Sequence, residues 1–182
     1  DAPDISRPRP GHADLAGMLK WLTPSARTAL ERASARETAA RVAAGALTRS
    51  ILNAFGVKIV GFVASIGTVE ADVPMETPIG DLAAARDGND VYTPDSSAVQ
   101  PMIDLIRQAK KDGDTLGGTL EVRAENMLPG LGSCMAWQDK LDARLAFAVM
   151  SIQAIKAVQI GLGVEAGLRP GSQVHRSEER RV

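Results

Sequence analysis

Residues 34–69 decide the fold: SARETAARVAAGALTRSILNAFG over 34–56, then VKIVGFVASIGTV over 57–69. The opening Ser34-Ala35-Arg36-Glu37 reads as a capping box. Its serine hydroxyl accepts from a backbone amide, and its glutamate reaches back to the cap. The helix so started is expected to run to about Phe55 and to stop at Gly56. At about 100° per residue, Ala39, Ala43, Leu47, Ile51 and Ala54 share one face, with Glu37, Arg41 and Thr48 opposite. Glu37 and Arg41 stand in the favourable i,i+4 order. Arg36 falls on the apolar side, with no acidic residue three or four positions away. The β-rich run 57–69, bounded by Gly56 and Gly67, predicts a strand or two.

Working outward, residues 1–10 alternate proline with polar residues and are expected to be extended. A first helix is predicted over 13–21. Thr23-Pro24 then reads as an N-cap with proline at the first helical position, starting a short helix through about Glu31. Downstream, 70–98 is rich in Pro, Gly, Asp and Ser and reads as a variable loop region. A helix is predicted over 102–111, ending at Asp112-Gly113, and a strand over 118–124. Residues 129–133 form a glycine loop. A second long helix is predicted over 139–157, where Leu141, Leu145, Ala148, Ile152 and Ile155 keep helical spacing, followed by a glycine-punctuated strand over 158–164. Two long helices, each followed by an apolar strand, imply an internal duplication. Helices packed on antiparallel sheet fit this order, so the expected class is α+β. Residues 172–182 are a charged tail, and both ends of the sequence read as cut within a longer frame.

The chain has 182 residues, which fits one domain or one lobe of something larger. With 45% hydrophobic and 24% charged residues and a net charge of -1, it lacks the bulk charge that draws proteins to nucleic acid or anionic membrane. Any anion binding must be local. The single cysteine, Cys134, rules out an internal disulfide and fits a reducing cytoplasm. No apolar run is long enough to span a bilayer.

The chemistry gathers in two stretches. Ser6-Arg7-Pro8-Arg9-Pro10-Gly11-His12-Ala13-Asp14 and Glu31-Arg32-Ala33-Ser34-Ala35-Arg36 bring arginines and a histidine to helix starts with few carboxylates to neutralise them. One reading is a solvated basic face. The other is an oxyanion site, because a cation at an N-terminal turn opposes the helix dipole unless an anion joins it. His12 follows a turn pair that can expose a side chain, and histidine as a residue type suits either proton transfer or a structural role. His175 lies in the charged tail. The glycine runs 115–118 and 129–132 match neither a dinucleotide fingerprint nor a phosphate loop and read as tight turns. Asp112 and Asp114 lack metal-ligand companions, and no metal is expected.

These blocks resemble the chorismate synthase family. The resemblance rests on Arg9-Pro10-Gly11-His12-Ala13-Asp14, on the block from Glu31 through Arg32-Ala33-Ser34-Ala35-Arg36-Glu37-Thr38 to Gly45, and on Ser65-Ile66-Gly67. It continues through Lys111-Asp112-Gly113-Asp114-Thr115-Leu116-Gly117-Gly118, Pro129-Gly130-Leu131-Gly132, Lys140-Leu141-Asp142-Ala143 and Met150-Ser151-Ile152-Gln153-Ala154-Ile155-Lys156. It implies helices sandwiched between antiparallel sheets, with the chain forming the central part of one domain. It implies a 1,4-anti elimination of phosphate from 5-enolpyruvylshikimate 3-phosphate to give chorismate, with reduced FMN as cofactor. NADPH enters only if the whole enzyme reduces its own flavin. By the same resemblance, His12 protonates reduced flavin, Arg9 and Arg36 hold the substrate's anionic groups, and Arg32, Ala33, Ser34, Gln153 and Ala154 contact FMN. A cytoplasmic homotetramer is implied, with no nucleic-acid or membrane partner. The family's Gly-Glu-Ser-His-Gly motif and its Arg-Ser-Asp motif have no counterpart in these residues, so the chain alone is expected to be inactive. The alternative is a non-catalytic remnant that binds FMN or an anion.

Overall fold

The computed structural model describes residues 3–33 and 35–174, with the backbone alone at 35 and 36. Ten regular elements follow one another: α1 (Asp14–Trp21), α2 (Arg27–Arg32), α3 (Ala35–Ala54), β1 (Lys58–Ile66), β2 (Val69–Glu70), α4 (Ile79–Asp87), α5 (Ser96–Asp112), β3 (Gly118–Glu125), α6 (Leu141–Met150) and α7 (Gly171–Val174). Short 3-10 turns cover Trp137–Asp139 and Gly163–Leu168. The class is α+β, as expected. The chain divides into two units, one made of Asp1–Gly45 with Gly130–Val182 and the other of Ala46–Pro129.

The second unit holds the sheet. Its strand order is β2-β1-β3, antiparallel throughout, with Val60 opposite Arg123 and Phe62 opposite Glu121. Alternation sends Val60 and Phe62 to one face, where they pack with Ile79 and Leu82 of α4. The other face meets α5: Val63 and Ile66 pack against Val91, Ala98 and Met102. Arg123 lies over the Phe62 ring at 5.3 Å and donates to the carbonyls of Val73 and Pro74, tying the 73–75 loop to β3. α5 opens on Asp95, whose carboxylate accepts from the Ser97 amide at 2.8 Å, and closes at Gly113.

The first unit is built on α1 packed against α2, with Ala26, Ala29 and Leu30 buried. The two helices approach so closely that any side chain at Gly17 would collide with Ala29. The extended segment before α1 docks on the start of α2: Ala26 N–H donates to the Ile5 carbonyl at 2.7 Å, and Arg27 Nε to the Pro3 carbonyl at 2.6 Å.

Several expectations require correction. The stretch 70–98 is not a loop throughout, since it contains α4 and the first residues of α5. α2 begins at Arg27, and Thr23 instead accepts from the Ser25 amide in a local turn. The second long helix stops at Met150, short of 157, and no strand covers 158–164 among the described residues. Just before that stretch Ala154 takes φ +69, and within it Gly161 and Gly163 take left-handed φ where the chain turns into the 3-10 segment Gly163–Leu168. The expected apolar face of α3 is uncovered among the described residues, with Leu47 69% and Ile51 56% exposed. His175 and residues 175–182 of the tail lie outside the described residues, whereas 171–174 form α7.

Candidate functional site

Arg9-Pro10-Gly11-His12 forms a four-residue turn in which the His12 amide reaches the Arg9 carbonyl at 3.4 Å. Proline presets the second position and Gly11, at φ +68, supplies the left-handed third, as a type II turn demands. The turn sets Arg9 and His12 over Asp14, the first residue of α1. A carboxylate in that first turn also complements the helix dipole.

Asp14 is fully buried and the centre of this cluster. Its Oδ2 accepts from Arg9 Nε at 2.9 Å and from the Arg9 amide at 3.1 Å. Its Oδ1 accepts from Arg9 Nη2 at 3.0 Å and lies 2.8 Å from His12 Nδ1. Arg9 Nη2 is itself 3.1 Å from that nitrogen. The donated bonds and charge of Arg9 hold the Asp14 carboxyl far below the usual carboxylate range, against the opposing pull of burial, and His12 adds to the effect. The same bond raises the Arg9 guanidinium. Arg9 is therefore not an arginine without a partner, as the sequence had implied. It is exposed on one side and bidentately paired on the other. His12 keeps 30% of its side chain open to solvent.

A second constellation surrounds Gln153. Its amide is held at both ends by the first turn of α3: Nε2 donates to Glu37 Oε2 at 2.5 Å, and Oε1 accepts from Thr38 Oγ1 at 3.0 Å. Glu37 also takes the Arg41 Nε–H at 2.7 Å, the i,i+4 pair expected from sequence. Arg41 then donates to Ser151 Oγ at 2.8 Å. The Gln153 bond, followed by the Arg41 bond, lowers the Glu37 carboxyl against the effect of burial. Gln153 thus pins the segment after α6 to α3. Its neighbour Ala154 is exposed and adopts a left-handed backbone that only a constrained non-glycine residue keeps.

Arg9 and His12 are brought together, and Gln153 and Ala154 lie beside the start of α3. Among the described residues, these two sets share no hydrogen-bonding residue. Arg32, exposed, and Ala33 lie at the end of α2 immediately before α3. Ser34 and the Arg36 side chain lie outside the described residues. Sequence reasoning missed Asp14 as the partner of Arg9 and His12. The spacing of two from His12 and five from Arg9 across a Pro-Gly turn was the available signal. It also missed Thr38 and Ser151, which no local pattern marks. Among the described residues, no group of His, Cys, Asp and Glu could hold a metal ion, and no helix is long and apolar enough to cross a membrane.

A family model described as chorismate synthase matches residues 3–180. A chorismate synthase of Desulforamulus reducens is 52% identical over 171 residues, covering 94% of this chain and 44% of that protein. One from Rhodococcus jostii is 52% identical over 172 residues, covering 94% and 43%. A solved structure titled "Crystal Structure of Chorismate Synthase" superposes with a TM-score of 0.79 at 44% identity, covering 90% of this chain and 51% of that one. The chain spans less than half the length of the curated relatives it matches. Matched along nearly all its residues, in sequence and in fold, this chain belongs to the chorismate synthase family.

Proposed function

We propose that these residues supply part of the active site of an enzyme that eliminates phosphate from 5-enolpyruvylshikimate 3-phosphate to form chorismate. The observation that carries this reading is the Arg9–His12 pair held over buried Asp14, in a chain of this family. The reaction breaks a C–O bond to phosphate and a ring C–H bond. The C–H electron pair enters the new double-bond system, so there is no net oxidation.

The donor set fits a phosphorylated flavin in part. An imidazole beside a guanidinium, with the exposed Arg32 near the start of α3, offers cationic and hydrogen-bonding groups to a phosphate-bearing ring. Gln153 fits only through its backbone, because both ends of its amide are engaged by α3. His12, Arg32, Ala33, Ser34 and the 153–154 backbone would hold the cofactor. Reduced FMN, when bound, supplies the electron density that assists C–O cleavage. The chain's own contribution is position and field. Arg9 and Arg36 bind and orient anionic groups of the substrate, and their charge favours the departing phosphate. His12 holds or moves a proton at its outward ring nitrogen. On the same reading the whole protein is a cytoplasmic homotetramer acting on a small molecule, and NADPH serves it only where it reduces its own flavin.

The test is phosphate release in the presence of reduced FMN, measured on this chain and on a longer protein carrying the family's flanking segments. The chain alone is expected to release no phosphate above a control without enzyme, and the longer protein to turn over. His12→Ala in the longer protein should lower kcat by about 10²-fold or more, the usual contribution of a positioned proton donor. An unchanged rate in that variant would remove His12 from the mechanism. A flavin fluorescence titration that shows binding, with no turnover even in the longer protein, would favour the non-catalytic alternative.

A further inference from the structure

We propose that Asp14 is a positioning residue for His12. Its carboxylate accepts a hydrogen bond from Nδ1–H, fixing the imidazole so that the proton stays on Nδ1 and Nε2 is the nitrogen left for exchange at the site. The inference deepens the role given to His12 above and rests on that reading for its functional meaning.

The argument starts from the carboxylate's capacity. Two oxygens offer about four lone-pair positions, and four donors surround them: the Arg9 amide, Nε, Nη2 and His12 Nδ1. A fully buried carboxylate retains its charge only when such donors are present. His12 Nδ1 faces two groups, Asp14 Oδ1 at 2.8 Å and Arg9 Nη2 at 3.1 Å. A carboxylate only accepts and a guanidinium only donates, so the proton on Nδ1 satisfies one contact and not the other. With the proton present, the shorter contact is a charge-assisted hydrogen bond, and Arg9 Nη2 is already satisfied by Asp14 Oδ1. With the proton absent, a lone pair would face a buried anion across the shorter distance. The first arrangement wins.

The backbone enforces it. The Pro10-Gly11 turn brings His12 back over Asp14. Among the described residues, the other charged groups of α1 and α2 have contacts elsewhere or face solvent. In α2, packed against α1, Arg27 pairs with Glu31 at 3.4 Å and Arg32 is exposed, while Lys20 of α1 lies over Trp21. The arrangement is that of a carboxylate that orients a catalytic imidazole without itself exchanging protons.

Nitrogen-15 NMR of the imidazole rings tests this on the chain as it stands, at a pH where the same spectra show the rings singly protonated. His175→Asn assigns the second histidine. The expected result is a proton on His12 Nδ1 and a bare Nε2, with Asp14→Asn moving the proton to Nε2. A wild-type ring protonated at Nε2 overturns the proposal, as does a folded Asp14→Asn chain that keeps the proton on Nδ1. If that variant does not fold, the wild-type spectrum decides alone. The readout needs neither flavin nor substrate, so its failure is distinguishable from a failure of the proposed reaction.

Discussion

Asp14 illustrates how a single buried group ties local sequence to chemistry. Its carboxyl is held far below its ordinary value of 3.8, first by Arg9 and then by His12. Around pH 3 the unfolded chain therefore binds a proton that the folded chain refuses. Stability from this cluster is fully present above about pH 5, clear of the unfolded value, and is lost as pH falls towards the lower folded value. The melting temperature of the wild type should exceed that of Asp14→Asn most clearly between about pH 5 and 7, and the gap should narrow steadily from pH 4 to 2. A gap that stays constant across that range would show that the carboxylate's charge is not what matters.

At the scale of elements, α4 shows why a helix can be absent from the sequence pattern. It follows Pro78, which has no side-chain hydrogen bond to give as a cap. Its first amide, of Ile79, donates instead to Glu125 Oε1 at 2.9 Å, a residue of β3 that is 46 positions away. Its only large apolar residues are Ile79 and Leu82, and these are the ones it buries, against Val60 and Phe62. The opposite holds for α3, whose helical signal is strong but whose predicted apolar face is exposed. Leu82→Ala should cost about 2–5 kcal/mol in urea unfolding of this chain. Leu47→Ala should change stability by no more than about 0.5 kcal/mol. Equal losses at the two positions would mean that α3 is covered in solution.

Across the whole molecule, the two units differ in how much they bury. The 46–129 unit contributes Val57, Val60, Phe62, Ile79, Leu82, Val91, Ala98 and Met102 to its interior, whereas the described part of the other contributes Ala26, Ala29 and Leu30. Buried apolar area sets the free energy of local opening. Hydrogen exchange should therefore be slowest at the amides of β1, which is paired on both edges, and faster in α6, which buries no residue. Equal protection of β1 and α6 would contradict this division.

Local chemistry sufficed to place α1, α3, the hairpin strand β1 and β3, because caps, glycine stops and residue periodicity act within a few positions. The Glu37–Arg41 pair and the Pro-Gly turn at His12 were legible for the same reason. Tertiary structure alone decided what closes each element at long range: Glu125 capping α4, Gln153 clamping the start of α3, and Ala154 turning the chain where helical spacing would have continued it. It also decided that Arg9 is answered by Asp14, since a carboxylate becomes a partner only once folding has removed its water.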